Sequence, residues 1–490
     1  MLTIASFLFI FAGLILRNIK LASVFFHDWD EGMYAQIATE ILKNKSLFTT
    51  FNGSVWLDKP PLAHTLIATV FLLFGKSEFW VRFLMLVFAS TTLVLTCLLT
   101  KQVLSNLLRT KLDKLSNFQK EIAYLIPVLV VSSANIFLDR ATLLNTDIMV
   151  ALGWVGYFLF KNNFALKLLF LSIGVYSKSV FGFYPLFFEL LTIKREDFTF
   201  KNLKKTFFLI LIPSLWFIAG LLKYGNYFIQ AHIVDQLFKR VVVPIELHSG
   251  DKFYYLKYLW ENMGILVFIL IASYFVILFD LFKHFKKDGL KLRISKAGWY
   301  FLILFSALPF YIFLNFGKTK IYWYIAILMP LFAIPIGYFY TSLNNKILRY
   351  LVALIVLIYF FVSFLPQTYN FVLNYQIPER ITLARCISKL PGNKVGFLVD
   401  QSERSNRNFL EAAHYQTSSS FLYGGSPSFV YYLNKKVDYF YDLPKFLQNY
   451  SRYNIIAVSS QDLSKIKELE NIKNDYKKSC VSEGWETFIK

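Results

Sequence analysis

Asp58-Lys-Pro-Pro-Leu-Ala-His-Thr-Leu-Ile-Ala-Thr-Val-Phe-Leu-Leu-Phe74 decides how the rest of the chain is read. The apolar run from Leu62 to Phe74 follows Pro60-Pro61 and is too short for the ~20 residues that a helix needs to cross a bilayer. It reads as an interfacial or re-entrant helix. Longer apolar runs lie near 2–25, 79–104, 122–138, 145–161, 164–177, 179–193, 206–223, 263–282, 298–315, 320–341 and 348–365. The runs 164–177 and 179–193 are short and read together as a broken pair.

Charge orders these runs. With the amino terminus in the cytoplasm and 62–74 left uncounted, the basic loops all fall inside. They are 105–121 (Arg109, Lys111, Lys114, Lys120), 194–205 (Lys194, Arg195, Lys201, Lys204, Lys205), 283–297 (Lys283, Lys286, Lys287, Lys291, Arg293, Lys296) and 342–349 (Lys346, Arg349). Counting 62–74 as a span would invert every later loop. The expectation is therefore an α-helical polytopic membrane protein of about eleven spans plus interfacial helices. The residues from Met1 to Leu16 form a retained first span, since they lack a basic n-region and a small-residue cleavage site.

Composition agrees. Of 490 residues, 56% are hydrophobic, 19% aromatic and only 17% charged, with a formal net charge of +21. Soluble domains run nearer 45–50% apolar and about a quarter charged, so a soluble enzyme, a disordered chain and a disulfide-rich secreted module are excluded. The basic residues sit between apolar spans, which argues against nucleic acid as a partner. The aromatic richness reads as lipid-facing Phe and Tyr with interfacial Trp and Tyr.

The composition changes near Gln367. Short β-like runs (Lys394 to Val399 and Asn454 to Val458) alternate with helix-like segments (Pro444 to Tyr450 and Asp462 to Leu469), predicting a small α/β domain. The expected division is a membrane domain over 1–366 and an extracytoplasmic α/β domain over 367–490. Cys97 lies in an apolar run and reads as an inert buried thiol. Cys386 and Cys480 share the polar tail, and whether they pair is left open.

Under this topology the unusual acids and histidines of the membrane part gather on the extracytoplasmic face. The densest group is His27-Asp-Trp-Asp-Glu-Gly-Met-Tyr34, followed by Trp56-Leu-Asp-Lys-Pro-Pro61. Asp30 is well placed to cap a helix over Gly32–Leu42, but capping explains one carboxylate and not the cluster. Acids, a lysine held by a diproline, and aromatics between them suit a general base beside an anionic lipid headgroup.

Asp30-Glu31-Gly32-x-Tyr34-Ala35, Asn52-Gly53 and Asp58-Lys59-Pro60-Pro61-Leu62 resemble the first extracytoplasmic loop of the polyprenyl-phosphate-sugar glycosyltransferases. These are the GT-C superfamily of protein O-mannosyltransferases and aminoarabinose lipid A transferases. Phe74-Gly75-x-x-Glu78-Phe79-x-x-Arg82 is similar to that family's next segment. Asn145-Thr146-Asp147, Ser177-Lys178-Ser179, His232 to Arg240, Glu246-Leu247-His248, Tyr254-Tyr255 and Gly317-Lys318-Thr319-Lys320-x-x-x-Tyr324 with Pro330 follow in family order. Ser179 stands where the family has glycine.

The resemblance implies a sugar donor joined to a polyprenyl phosphate of the undecaprenyl kind. It implies an extracytoplasmic acceptor (lipid A, a protein hydroxyl or a surface glycan) and an integral inner-membrane enzyme among membrane lipids. An inverting displacement needs a carboxylate base and cations for the departing phosphate. Asp30 matches the catalytic acid, with Glu31 beside it and Asp147 as a further carboxylate that pairs with Lys59 or Lys178. Lys59, Lys178, Arg240, Lys320 and Tyr324 would surround the phosphate, with Tyr34 and Arg82 as further loop residues. Lys318 reads instead as a snorkelling residue. A divalent metal is a weaker implication, with Asp58 and His248 at the matching positions; two ligands do not define a site. The competing readings are a lipid or glycan flippase, for which an internal repeat would be expected, and an oligosaccharide transferase of the same architecture.

Overall fold

The computed structural model describes all residues except 28–29, 193–198, 245–247, 289–294, 375–380, 401–426 and 483. Asp28, Lys194, Arg195, Glu246, Leu247, Lys291 and Arg293 of the sequence reading lie outside the described residues. The chain forms two compact units. One comprises Met1–Leu21, Arg82–Ala219 and His248–Tyr375, and the other Ala22–Val81, Gly220–Leu247 and Gln376–Lys490.

The first unit is helical. Its helix Lys346–Asn374 buries Val352, Val356, Phe360 and Phe364, a stripe at i, i+4 spacing, while Leu351, Leu354, Ile358, Phe361, Val362 and Leu365 stand exposed. A helix apolar on every face fits lipid and not water. This is an integral membrane protein. Among the described residues, eight helices are long and apolar enough to cross a bilayer, or nine if one bent pair counts as a span.

That bent pair is Asn117–Ser133 and Asn135–Thr142, which meet at 76°. Ala134 between them is extended (φ −80°, ψ 118°). The break frees the N–H of Ile136, which the Asn262 side-chain oxygen accepts at 2.8 Å. A backbone break at membrane depth needs such a partner.

The run Phe164–Leu190 counts as one of the eight by length and composition, yet it folds back on itself. Ser179, with φ 62°, reverses the chain between Phe164–Lys178 and the turn Ser179–Phe183. The ammonium of Lys167 then lies 2.7 Å from Glu189, 22 residues later. A straight helix of that length would hold them roughly 33 Å apart. A Cβ at Gly182 would collide with the backbone of Gly174 and Val175, so glycine permits the close return. The two runs of the sequence reading are thus two antiparallel arms. Asp147–Leu159 and Leu62–Phe74 are shorter apolar helices.

In the second unit, Asp30–Asn44 and Leu62–Phe74 are helices joined by a small hairpin, β1 (Thr50–Phe51) and β2 (Ser54–Val55). Asn52 (φ 52°) and Gly53 (φ 78°) take its tight turn. The carboxy-terminal sheet has β3 (Lys394–Leu398), β4 (Lys436–Phe440), β5 (Ile455–Ser459), β6 (Lys477–Ser482) and β7 (Trp485–Ile489), in the order β4-β3-β5-β7-β6. β4, β3 and β5 run parallel, whereas β7 is antiparallel to β5 and to β6. Alternation places Val395, Phe397, Ile455 and Ala457 on one face and Leu398, Ile456 and Val458 on the other. Both predicted strands are present. Cys386 and Cys480 form a disulfide with Cα atoms 6.2 Å apart.

Two contacts tie the sheet domain to the loop carrying Asp30. The Asn52 amide donates to the Val437 carbonyl at 2.7 Å and accepts from its N–H at 3.1 Å, closing an exposed edge of β4. A Cβ on Gly32 would strike the backbone of Ser428 at the start of helix Pro427–Leu433.

Candidate active site

In the second unit, Asp30 opens the helix Asp30–Asn44. The Lys59 ammonium lies 3.3 Å from Asp30 Oδ1, contacts the Tyr34 hydroxyl and stands 4.8 Å from the Tyr34 ring centroid. Tyr34 is fully buried, whereas Asp30 and Lys59 each keep about a quarter of their side chain exposed (28% and 24%). The pair is therefore held from below and open above, which is what a base and a phosphate ligand require.

His64 lies beneath. It is buried edge-on between the rings of Tyr34 (4.8 Å) and Trp56 (5.1 Å). Burial and the nearby Lys59 push its pKa down to about 3, so the ring is neutral and adds no charge against the lysine. His232, on the wide helical turn Ile229–Phe238, donates from Nδ1 to the Leu57 carbonyl at 2.8 Å. Burial lowers its pKa to about 4. Wide turns of this kind are frequent at functional sites. This one brings Asp235 into a buried pair with Lys239 at 2.6 Å. Arg240, half-buried on the helix that continues it, donates from Nε to Gln236 at 3.1 Å.

The other polar cluster belongs to the first unit. Asp147, 2% exposed, pairs directly with Lys178, whose ammonium also lies 3.9 Å over the Tyr324 ring. The pairing with Lys178 follows from the antiparallel hairpin of Asp147–Leu159 and Phe164–Lys178, whose turn at 160–163 sets the end of the second helix against the start of the first.

Other residues singled out from the sequence are turned toward backbone. Glu31 is buried and accepts the His27 N–H at 2.8 Å, closing the turn into the helix. Arg82 is buried and donates to the Leu21 carbonyl at 2.7 Å, near the end of helix Leu2–Ala22. The Lys320 ammonium donates to Leu314 at 3.2 Å and Asn315 at 2.6 Å, at the end of helix Ala307–Phe316. Burial, and then Lys318, lower its pKa. Arg82 and Lys320 satisfy helix-terminal carbonyls, and a lysine ammonium carries three N–H donors in all.

Asp58 lies near the Tyr227 hydroxyl in the second unit, and His248 meets the Trp323 ring at 5.7 Å in the first. Among the described residues no group of three or more His, Cys, Asp or Glu is arranged to hold a metal ion. His64 was not singled out from the sequence, and His232 was named only as the start of a matching segment. The signal for His64 was its place just after the Pro-Pro turn.

No family model matches the chain. Two proteins of Aquifex aeolicus (strain VF5), both described as uncharacterized, are similar to it. One is 24% identical over 403 residues, 78% of this chain and 88% of the relative. The other is 27% identical over 332 residues, 65% of this chain and 60% of the relative. Among solved structures, ArnT from Cupriavidus metallidurans bound to undecaprenyl phosphate aligns over 99% of this chain and 97% of its own, with TM-score 0.65 and 12% identity. Its apo form aligns over the same shares with TM-score 0.65 and 13% identity. The chain has the GT-C fold of this aminoarabinose lipid A transferase.

Proposed function

We propose that this chain is a membrane glycosyltransferase that moves one sugar from a polyprenyl-phosphate donor, of the undecaprenyl phosphate type, onto an extracytoplasmic acceptor. The observation that carries the reading is the Asp30–Lys59–Tyr34 cluster, half-open above a buried aromatic floor. The ArnT neighbour bound to undecaprenyl phosphate supports it.

In the proposed reaction the acceptor hydroxyl attacks the anomeric carbon and gives its proton to the Asp30 carboxylate. The bond from that carbon to the phosphate oxygen breaks, and its electron pair leaves with the polyprenyl phosphate. Lys59 meets the charge that develops there. Lys178 and Tyr324, with Asp147 fixing the lysine, are proposed to bind the donor as well, and Arg240 to add a further cation. Glu31 and Arg82 are proposed to hold the loop and a helix end, and Lys320 to offer its third N–H to the phosphate. We further propose that the working face is extracytoplasmic, that the chain sits in the inner membrane with about eleven crossings, and that its membrane domain ends near residue 366.

The test uses purified full-length protein in nanodiscs with a synthetic sugar-linked undecaprenyl phosphate and envelope extracts as acceptor. Release of undecaprenyl phosphate together with a glycosylated product supports the reading. Movement of intact donor across a vesicle with no bond broken would make it a flippase. Transfer of a preassembled oligosaccharide in preference to one sugar would favour the oligosaccharide transferase. A cysteine at Lys59 labelled only from the cytoplasmic side would overturn the topology.

A further inference from the structure

The short helix Asn135–Thr142 carries Asp139 and Arg140 side by side. Asp139 is neutralised. Its Oδ1 accepts from the buried Arg17 guanidinium at 2.6 Å and its Oδ2 from the Asn135 amide at 3.2 Å. Arg17, Asp139 and Arg140 therefore sum to one positive charge, and it resides on Arg140. Among the described residues no carboxylate pairs with Arg140, and its buried Nε has no hydrogen-bond partner. A half-buried guanidinium left in this state is costly unless an anion completes it.

What flanks it is aromatic. The guanidinium stands 5.3 Å from the Trp323 ring centroid. Trp323 is the middle of three half-buried rings, Tyr322, Trp323 and Tyr324, that open the turn Tyr322–Leu328. Tyr322 stacks on Tyr258 at 5.1 Å and 23°, and Tyr324 carries Lys178 over its ring. One row of aromatic faces thus leads from the Asp147–Lys178 pair to an uncompensated cation. These rings pack against each other and against charged side chains. A sugar ring has an apolar C–H face that fits such a surface and hydroxyls for its edges. Arginine is the cation that both stacks on aromatic rings and grips phosphate or carboxylate with two N–H groups.

We propose that Arg140 and Trp323 form an acceptor subsite for an anionic sugar, with the ring on the aromatic row and its phosphate or carboxylate on Arg140. The proposal rests on the glycosyltransferase reading and makes the acceptor a charged glycan. A protein hydroxyl would not need this subsite.

The test is ligand-observed NMR on the full-length protein in nanodiscs, with four probes: glucose 1-phosphate, glucuronate and glucose read by proton saturation transfer, and inorganic phosphate read by phosphorus line broadening. Undecaprenyl phosphate binding is measured in parallel. The two anionic sugars should bind about tenfold more tightly than glucose or free phosphate, as expected for one charge-assisted pair. Whichever of them binds better tells phosphate from carboxylate. Arg140→Gln should abolish the preference for the anion and Trp323→Leu the preference for the sugar. Both should leave undecaprenyl phosphate binding within twofold and the melting temperature near wild type. If Arg140→Gln weakens undecaprenyl phosphate as much as the sugars, the arginine belongs to the donor site and the proposal falls. It falls equally if glucose binds as well as glucuronate, or if the unmelted variant Arg140→Lys changes nothing while Arg140→Gln unfolds. Turnover of a polyprenyl donor without Arg140-dependent sugar binding would sink this subsite alone. Arg140-dependent sugar binding without turnover of any polyprenyl donor would sink the glycosyltransferase reading instead.

Discussion

Lys59 and Asp30, 29 residues apart in sequence, meet at 3.3 Å above the buried Tyr34 ring. The contact does two things at once. It fixes the lysine ammonium beside the carboxylate, and it leaves each side chain about a quarter exposed.

Asp30→Asn should lower turnover by about 10²–10⁴, the usual worth of a positioned base. Lys59→Ala should cost a similar amount, and the double variant should be no slower than the worse single one, because coupled residues are not additive. Single-turnover release of undecaprenyl phosphate measures all three. Wild-type turnover in well-folded Asp30→Asn would remove the carboxylate from its proposed role.

Asp147 and Lys178 make a different prediction, since both are almost wholly buried. Removing one partner strands the other charge and should cost roughly 3–5 kcal/mol of stability. Asp147→Asn or Lys178→Met alone should therefore melt well below wild type, while the double variant recovers part of the loss. Strictly additive melting shifts would show that the pair is not coupled.

The two buried histidines predict a pH dependence. Unfolded, each titrates near 6.5, but folded His64 and His232 are pushed down to about 3 and about 4. The folded state thus binds fewer protons, so their support is complete above pH 6.5. It declines as pH falls toward 3, by up to about 1.4 kcal/mol per pH unit for each group. Melting temperatures between pH 7 and 4 should fall, and less steeply in His64→Phe, which retains a ring between Tyr34 and Trp56. An unchanged slope in that variant would be incompatible with a neutral buried His64.

Thiol counting checks the sheet domain. Denatured without reductant, the protein should show one reactive thiol, Cys97, and after reduction all three cysteines. Replacing Cys386 and Cys480 by serine should cost the domain about 2–4 kcal/mol, since the bond closes a long loop. Three thiols without reductant would contradict the pairing.

Membrane class, the apolar runs and the alternating strands β3 and β5 were legible in the sequence, because each depends on the local period of apolar residues. So was the Asp30-to-Lys59 segment, whose parts lie close in the chain. Partners were less legible. The charges of Glu31, Arg82 and Lys320 could be read, but not that they meet backbone groups at helix ends. A free carbonyl has no letter of its own.

Tertiary structure alone decided the rest. The hairpin of Asp147–Leu159 on Phe164–Lys178 set Lys178 against Asp147, and the side chain of Asn52 captured Val437, 385 residues away. Among the described residues it also left Arg140 without a paired carboxylate while its neighbour Asp139 took Arg17. Local pattern fixes which residues must leave water. Which polar groups then meet depends on how distant helices close-pack, and that information is spread over the whole chain.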